Sequence, residues 1–389
     1  MTSLRPLAIA AGPAAVAALP MLRQALDGEF AVLPYAAASP PPPLPEAPLP
    51  DEGTALVVGT SGSTGRPKLA MLPASALAAS AAATHQRLGG PGSWLLAMPP
   101  HHIAGVQVML RSLAAGTDPG FVDLSGGFTS EAFTEASAAF DGDRRYTALV
   151  PTQLLRLLDD PAARAALREF DAVLVGGAAS PPAVLVRARN AGISIVTTYG
   201  MSETCGGCVY DGIPLSCTQI RVDADGRIHL GGDTVATGYL GRPELTLAAF
   251  STDTDGRRWF RTDDVGHVDH VGDGPGRWHV DGRLDDRITT GGLKVAPRLV
   301  EDALTTLPGI AEAVVVATPD DHWGQAVSAA VVLAPGAATP TADGLRDLLR
   351  GILPPHALPR RLLVLPALPL RGPGKPDRSA VAARFVDRA

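Results

Sequence analysis

The densest chemistry in the chain lies in ten residues, Gly59-Thr60-Ser61-Gly62-Ser63-Thr64-Gly65-Arg66-Pro67-Lys68. Glycines 59, 62 and 65 let a backbone approach phosphate oxygens closely. The hydroxyls of Thr60, Ser61, Ser63 and Thr64 can donate hydrogen bonds, and Lys68 adds a point charge. The apolar run TALVV precedes this stretch and an alanine-rich helical pattern follows it. A strand, a glycine-rich loop and a helix in that order present backbone N–H groups to an anion. A Walker A loop needs its lysine directly after the last glycine, and here Arg66-Pro67 intervene, so that motif is excluded. On these residues alone a polyphosphate cradle and a flexible surface turn both remain open.

Other reactive side chains are scattered. Glu203 follows an apolar strand and a Tyr-Gly pair, which would put its carboxylate at the carboxyl end of a sheet, where open α/β folds bind ligands. A solvated loop glutamate is the plain alternative. Lys375 sits within Gly372-Pro373-Gly374-Lys375-Pro376, either as a surface lysine or as a cation projected into a cleft by irregular backbone. Asp263 and Asp264 are adjacent, and the order of residues does not say which one turns inward. Arg283 reads equally as a surface hairpin residue. Cys205-x-x-Cys208 has no second ligand pair to complete a zinc site, and His101 with His102 are too few for one.

Composition narrows the classes. A chain of 389 residues with net charge −6 has neither the global basic field nor the Lys/Arg run that grips nucleic acid. Three cysteines make no disulfide framework and point to a reducing, cytoplasmic setting. No stretch reads as a membrane span. At the N-terminus, Arg5 before an apolar segment fits a secretory signal, or else a strand and helix at a domain edge punctuated by Pro6, Pro13 and Pro20.

The elements that must position these residues follow from periodicity. The segments 54–58, 94–98, 146–150, 172–175 and 193–197 are apolar runs of strand length, and 73–88 and 181–192 between them carry helical patterns. The alternation predicts an α/β domain with a largely parallel sheet. A proline-rich connector spans 39–51. From about residue 215 short strands with tight turns, DADGR at 223–227 and VDGR at 280–283, predict a β-rich subdomain with Asp-Gly hairpins. A helix over 296–307, strands over 311–319 and 326–335 and a helix over 342–353 predict a smaller α+β unit. The division falls between an N-terminal domain, 1–284, and a C-terminal domain, 285–389.

The loop and six further segments, in order, resemble the adenylate-forming superfamily of acyl-CoA synthetases, adenylation domains and luciferases. They are MPPHHIAG at 98–105, LVGGAASPP at 174–182, TTYGMSETCGG at 197–207, WFRTDDVGHVD at 259–269, GRLDDRITTGGLKVAP at 282–297 and LPLRGPGKPDR at 368–378. The resemblance implies a large ATP- and acid-binding domain followed by a small mobile one. It places Thr60, Ser61, Ser63, Thr64 and Lys68 over the ATP phosphates, Gly176, Gly177, Ala178 and Tyr199 at the adenine, and Asp264 and Arg283 at the ribose. Glu203 becomes a Mg2+ ligand, Thr204 a neighbour of the α-phosphate, Asp285 the hinge and Lys375 the catalytic cation. Gly292 and Lys294 lie in the loop that meets CoA. One departure is Thr262-Asp263-Asp264, where the family keeps Thr-Gly-Asp.

The implied reaction joins a small carboxylic acid to CoA through an acyl-adenylate, with ATP, CoA and Mg2+ as cosubstrates and cofactor. The short N-terminal part and the segment YGMSETCGGCVYDGIPL are similar to compact o-succinylbenzoate–CoA ligases of menaquinone biosynthesis. His102, Gln107, Thr152 and Gly200 are the candidate acid contacts by motif position, with no arginine named for the second carboxylate. A ligase for another aryl or aliphatic acid, or a nucleotide-binding protein without turnover, stays open, as does a homodimer.

Overall fold

The computed structural model describes residues 3–44, 51–60, 68–270, 276–370 and 375–386. Two sheets form the body of the N-terminal part. One runs, in spatial order, through Leu4–Ile9, Ala31–Ala36, Thr54–Gly59, Leu69–Pro73 and Gly238–Tyr239, its first three strands parallel. The other runs Ile213–Pro214, Gly206–Tyr210, Ile195–Met201, Ala172–Val175, Arg145–Leu149, Ser93–Leu96 and Gly120–Phe121, parallel except at the Gly206–Tyr210 end. Helices Ala74–Arg87 and Ile103–Ala115 fill the space between the sheets, around Leu56, Leu72, Trp94 and Met109. Helices Ser130–Ala138, Pro151–Asp159, Pro161–Arg168 and Pro182–Asn190 cover the far face around Phe133, Leu157 and Phe170. Covered on both faces, the central strands read as unbroken apolar runs; all four residues of Ala172–Val175 are buried.

The boundaries have local causes. Helix Pro182–Asn190 starts on a proline, whose missing N–H costs nothing in the first turn. It stops before Gly192, whose φ of +77° is the left-handed conformation glycine adopts freely. Residues 4–26 are a paired strand, a 3-10 turn and a helix packed on the first sheet, which is the domain-edge reading of the N-terminus. Among the described residues no helix is long and apolar enough to cross a membrane.

A third, antiparallel sheet links Thr218–Val222, Arg227–Gly232, Arg258–Asp269, Phe250–Thr252 and Arg277–Arg283. The DADGR turn forms as expected: Gly226 is at φ +78° and the Asp223 carboxylate accepts the N–H groups of Asp225 and Arg227, each at 3.0 Å. VDGR does not turn. Asp281 and Gly282 continue strand Arg277–Arg283, where Gly282 at φ +147° pairs with Val265 and Asp281 is the extra residue at a register shift. The glycine serves a bulge rather than a hairpin. The C-terminal strands Leu293–Val295, Ile288–Thr290, Gly324–Leu333, Ile310–Asp320 and Arg361–Val364 form a fourth sheet with its own core around Val300, Leu304, Val327 and Leu349. The molecule is a mixed α/β protein with a small C-terminal domain.

Candidate active site

Strand Ile195–Met201 ends in a 3-10 turn, Ser202–Thr204, and the chain returns antiparallel as Gly206–Tyr210. The crossing is tight: a β-carbon on Gly200 would stand 2.1 Å from the Gly206 carbonyl oxygen, so only glycine fits. Glu203 is carried into the interior, 7% exposed, where its Oε1 accepts the Tyr239 hydroxyl at 2.8 Å. Burial raises its pKa, while the Tyr239 bond and the charges of Lys68 and Lys375 pull it back. Lys68 lies 5.1 Å from the centre of the Tyr239 ring. The neck of the glycine-rich loop is closed by Thr60 N–H on the Lys68 carbonyl at 2.8 Å, while Ser61, Ser63 and Thr64 lie outside the described residues. Tyr239 escaped the sequence reading; it stands 36 residues beyond Glu203 on a two-residue strand and belongs to no chemical motif.

Thr204 is tied to its own turn. Its hydroxyl, fully buried, accepts the Met201 N–H at 3.0 Å and donates to the Gly206 carbonyl at 2.9 Å. It clamps the turn, because a buried hydroxyl next to two free backbone groups satisfies them before anything else. Ser202, on the other side of Glu203, is half-buried, and its carbonyl accepts the Cys205 N–H at 3.2 Å.

The two adjacent aspartates separate cleanly. Asp264, buried, accepts the Tyr199 hydroxyl at 2.7 Å and faces Arg283 Nη1 at 3.5 Å. Asp263 points the other way and takes Arg227 Nη1 at 2.9 Å. Burial raises the Asp264 pKa, with the Tyr199 hydrogen bond and Arg283 opposing it. The Gly176-Gly177-Ala178 segment lies flush on the neighbouring strand, where a β-carbon on Gly176 would meet the Thr198 hydroxyl at 2.2 Å. At the end of strand Arg277–Arg283, the Arg283 guanidinium forks onto Asp285 at 2.9 and 3.0 Å.

Lys375 comes from the other domain into this group. Loss of surrounding water lowers its pKa, Arg283 adds to the depression, and Asp264 and Glu203 oppose it. His102 is the residue before helix Ile103–Ala115, its ring 4.3 Å from that of His101. Desolvation, His101 and Lys375 push its pKa down to about 4, so the imidazole is neutral at physiological pH. Thr152 opens helix Pro151–Asp159, half-buried. Gln107 is 1% exposed and donates to the Cys205 carbonyl at 2.6 Å, which makes it a support behind the Glu203 turn; its Oε1 has no partner. Gly292, at φ +79°, lies between strands Ile288–Thr290 and Leu293–Val295, and Lys294 is the middle residue of the second, opposite Thr289; both are exposed. Cys205 and Cys208 are free and buried, and burial pushes the Cys208 thiol up to about 12, leaving both inert as nucleophiles.

Arg111 was missed. One turn beyond Gln107 on the same helix, it is 4% exposed, donates to the Tyr210 hydroxyl at 3.3 Å and lies 5.0 Å over the Trp94 ring. Its Nε has no partner, and among the described residues no carboxylate is within salt-bridge reach. The available signal was polar Gln107 and Arg111 at i, i+4 within an otherwise apolar helix face.

The topology and the lysine-bearing second domain at the end of a parallel sheet define an adenylate-forming type of enzyme. The chain belongs to the AMP-binding enzyme family, whose profile matches residues 9–240, with the AMP-binding enzyme C-terminal domain at 299–375. The "Probable 2-succinylbenzoate--CoA ligase" of Mycobacterium tuberculosis is 49% identical over 339 residues, 87% of this chain and 86% of that one. A feruloyl-CoA synthase from Amycolatopsis is 33% identical over 88% of this chain and 72% of its own length. The structure of o-succinylbenzoate CoA synthetase from Bacillus subtilis, in complex with its acyl-adenylate intermediate, superposes with a TM-score of 0.74 at 22% identity, over 98% of this chain and 88% of the other.

Proposed function

We propose that the protein is a 2-succinylbenzoate–CoA ligase, making an acyl-adenylate from the acid and ATP and then the CoA thioester, with release of pyrophosphate and AMP. The reaction is carried by one observation: Lys375, from the C-terminal domain, stands within the field of Glu203, Asp264 and Arg283. The choice of acid is supported by the M. tuberculosis relative, with its near-full overlap.

In this reading ATP lies with its adenine between Tyr199 and the Gly176–Ala178 segment, its ribose on Asp264 and Arg283, and its phosphates under Thr60, the hydroxyl loop and Lys68. Glu203 Oε1 accepts the Tyr239 hydroxyl. Among the described residues no group of three acidic, His or Cys side chains could hold a metal, so a lone carboxylate is the donor, which suits Mg2+ bound chiefly to substrate phosphates and water. When bound, Mg2+ supplies charge neutralisation at the phosphates. The substrate carboxylate attacks the α-phosphate, the pyrophosphate leaves, and Lys375 stabilises the charge that grows between them. His102, held neutral, lines the acid without adding a competing charge. Rotation at Asp285 then withdraws Lys375 and brings in the loop with Gly292 and Lys294, where the CoA thiol attacks the adenylate carbonyl and AMP departs.

A second carboxylate on the acid needs a cation. The buried, carboxylate-free Arg111, with Gln107 one turn before it, supports a dianionic substrate over a neutral-tailed one. The feruloyl-CoA synthase relative favours the second reading, an aryl acid of another kind. Three free thiols fit a reducing cytoplasm. Mass spectrometry after incubation with MgATP, CoA and a panel of carboxylic acids tests the assignment. The expected result is AMP and an o-succinylbenzoyl-CoA peak far above every other thioester; a preferred product from another acid would keep the reaction and discard the substrate.

A further inference from the structure

Arg283 faces three carboxylates, and they belong to different parts of the machine. Asp285, at the domain junction, takes its fork at 2.9 and 3.0 Å. Asp264, in the ribose position, is 3.5 Å from Nη1, and Asp263 Oδ2 is 3.7 Å from Nη2. That same Nη2 donates to Asp285, so two carboxylates compete for one donor edge. Asp263 is anchored to the N-terminal body: its other oxygen takes Arg227 Nη1 at 2.9 Å, Arg227 also donates to the Thr262 carbonyl at 2.6 Å, and the Asp263 carbonyl accepts Leu284 N–H at 2.8 Å. Any backbone rotation at residue 285 moves the Asp285 carboxylate while Asp263 and Arg283, on paired strands of one sheet, keep their relation.

We propose that Asp263 is a positioning residue for the second half of the reaction, receiving the Arg283 guanidinium when the Asp285 carboxylate turns away. The transfer needs a change of side-chain rotamer only. It lets the latch between Arg283 and the hinge open without leaving the cation to fall onto Asp264, which keeps the ribose carboxylate available to the adenylate. A bidentate arginine–carboxylate pair has a preferred geometry that would otherwise hold the hinge in the state seen here. The inference rests on the two-step reading above.

The test separates the half-reactions in the full-length protein. D263N, at a side chain 56% exposed, is expected to leave pyrophosphate exchange with 2-succinylbenzoate and MgATP within about 2-fold and to slow thioester formation from pre-formed acyl-adenylate and CoA by about 5-fold. D263E restores the second rate, because it returns the charge. Combined with D285N, which removes the latch, D263N has a smaller effect than alone. An equal loss in both half-reactions, or no change in the second, overturns the proposal. Distances between labels at V16C and L348C, both exposed sites in different domains, report the rotated state directly. They are expected to show it depleted in D263N, and an unchanged distribution also overturns the proposal. If the unsubstituted protein makes no thioester from any acid, the ligase reading fails on its own, and the label distances still decide the role of Asp263.

Discussion

Two charged neighbourhoods of the described residues, the cleft and the surroundings of Arg111, are built on opposite plans. Around the cleft every charge meets its opposite: Glu203 has Lys68 and Lys375, and Asp264 has Arg283, which in turn holds Asp285. Around Arg111 there is one cation, a neutral imidazole in His85, the hydroxyls of Tyr210 and Thr84, and the Trp94 ring, with no carboxylate in reach among the described residues. The first arrangement is complete without a ligand and can be held ready for a transition state. The second leaves the Arg111 charge with a hydroxyl and an aromatic face as partners, which suits the anion-recognition role proposed above. In that proposal the balanced cluster performs chemistry on what binds, and the unbalanced one selects it.

The comparison can be broken at several points. Lys375→Ala removes the cation that the C-terminal domain brings to the cleft, and adenylation is expected to fall about 100-fold or more. Thioester formation from supplied acyl-adenylate survives, as single-turnover assays of each half would show. An unchanged adenylation rate would take Lys375 out of the mechanism.

On the other side, Arg111→Met is expected to raise KM for 2-succinylbenzoate by roughly 10- to 100-fold, the worth of a lost charged hydrogen bond. KM for a monocarboxylic aryl acid changes little. Equal losses for both acids would mean that Arg111 serves the core alone.

Tyr239→Phe sharpens the cleft half of the contrast. The Tyr239 hydroxyl lowers the Glu203 pKa, so its removal lets burial raise that pKa further. The acid limb of the rate profile moves to higher pH, with about a 5-fold loss at pH 6 if Glu203 must be ionised. A limb that does not move would show that Glu203 sets neither.

The smallest effect concerns His85. Its Nε2 accepts the Trp94 indole N–H at 3.2 Å, and burial, with Arg111 adding, pushes its pKa from 6.5 down to about 4. Between those values the unfolded chain binds more protons than the folded one. The stabilisation is therefore fully present above pH 6.5 and is lost as pH falls toward 4, on the order of 2 kcal/mol. Melting of His85→Gln across that range should show a flatter pH dependence than the parent; parallel curves would remove His85 as the source.

Much of the cleft was legible because its pieces are local. The strand Thr54–Gly59 runs directly into its glycine-rich loop, and the Glu203 turn follows its strand directly, so short windows carried both; the helix expected straight after the loop instead follows a second strand, Leu69–Pro73, antiparallel to the first. The VDGR segment was misread because Asp-Gly marks a turn only where the flanking strands are free to meet; here strand Arg258–Asp269 pairs with Val280, Gly282 and Arg283, leaving Asp281 as the extra residue. Thr204, which the resemblance set near the α-phosphate, closes its hydroxyl on the backbone of its own turn, a contact that the order of residues does not reveal.

By itself the order of residues determined the α/β alternation, the smaller second domain, and the set of side chains able to handle a nucleotide and an acid. These follow from periodicity and from residue type, which need no knowledge of distant contacts. Tertiary structure decided that Asp264 turns in and Asp263 out, because adjacent residues in a strand point to opposite faces and only packing says which face is the interior. It also decided that Tyr239 belongs to Glu203 and that Arg111 has no carboxylate in reach among the described residues. A hydrogen bond across 36 residues, or the absence of a counter-charge, is a property of the folded space around a side chain and has no local trace in the chain.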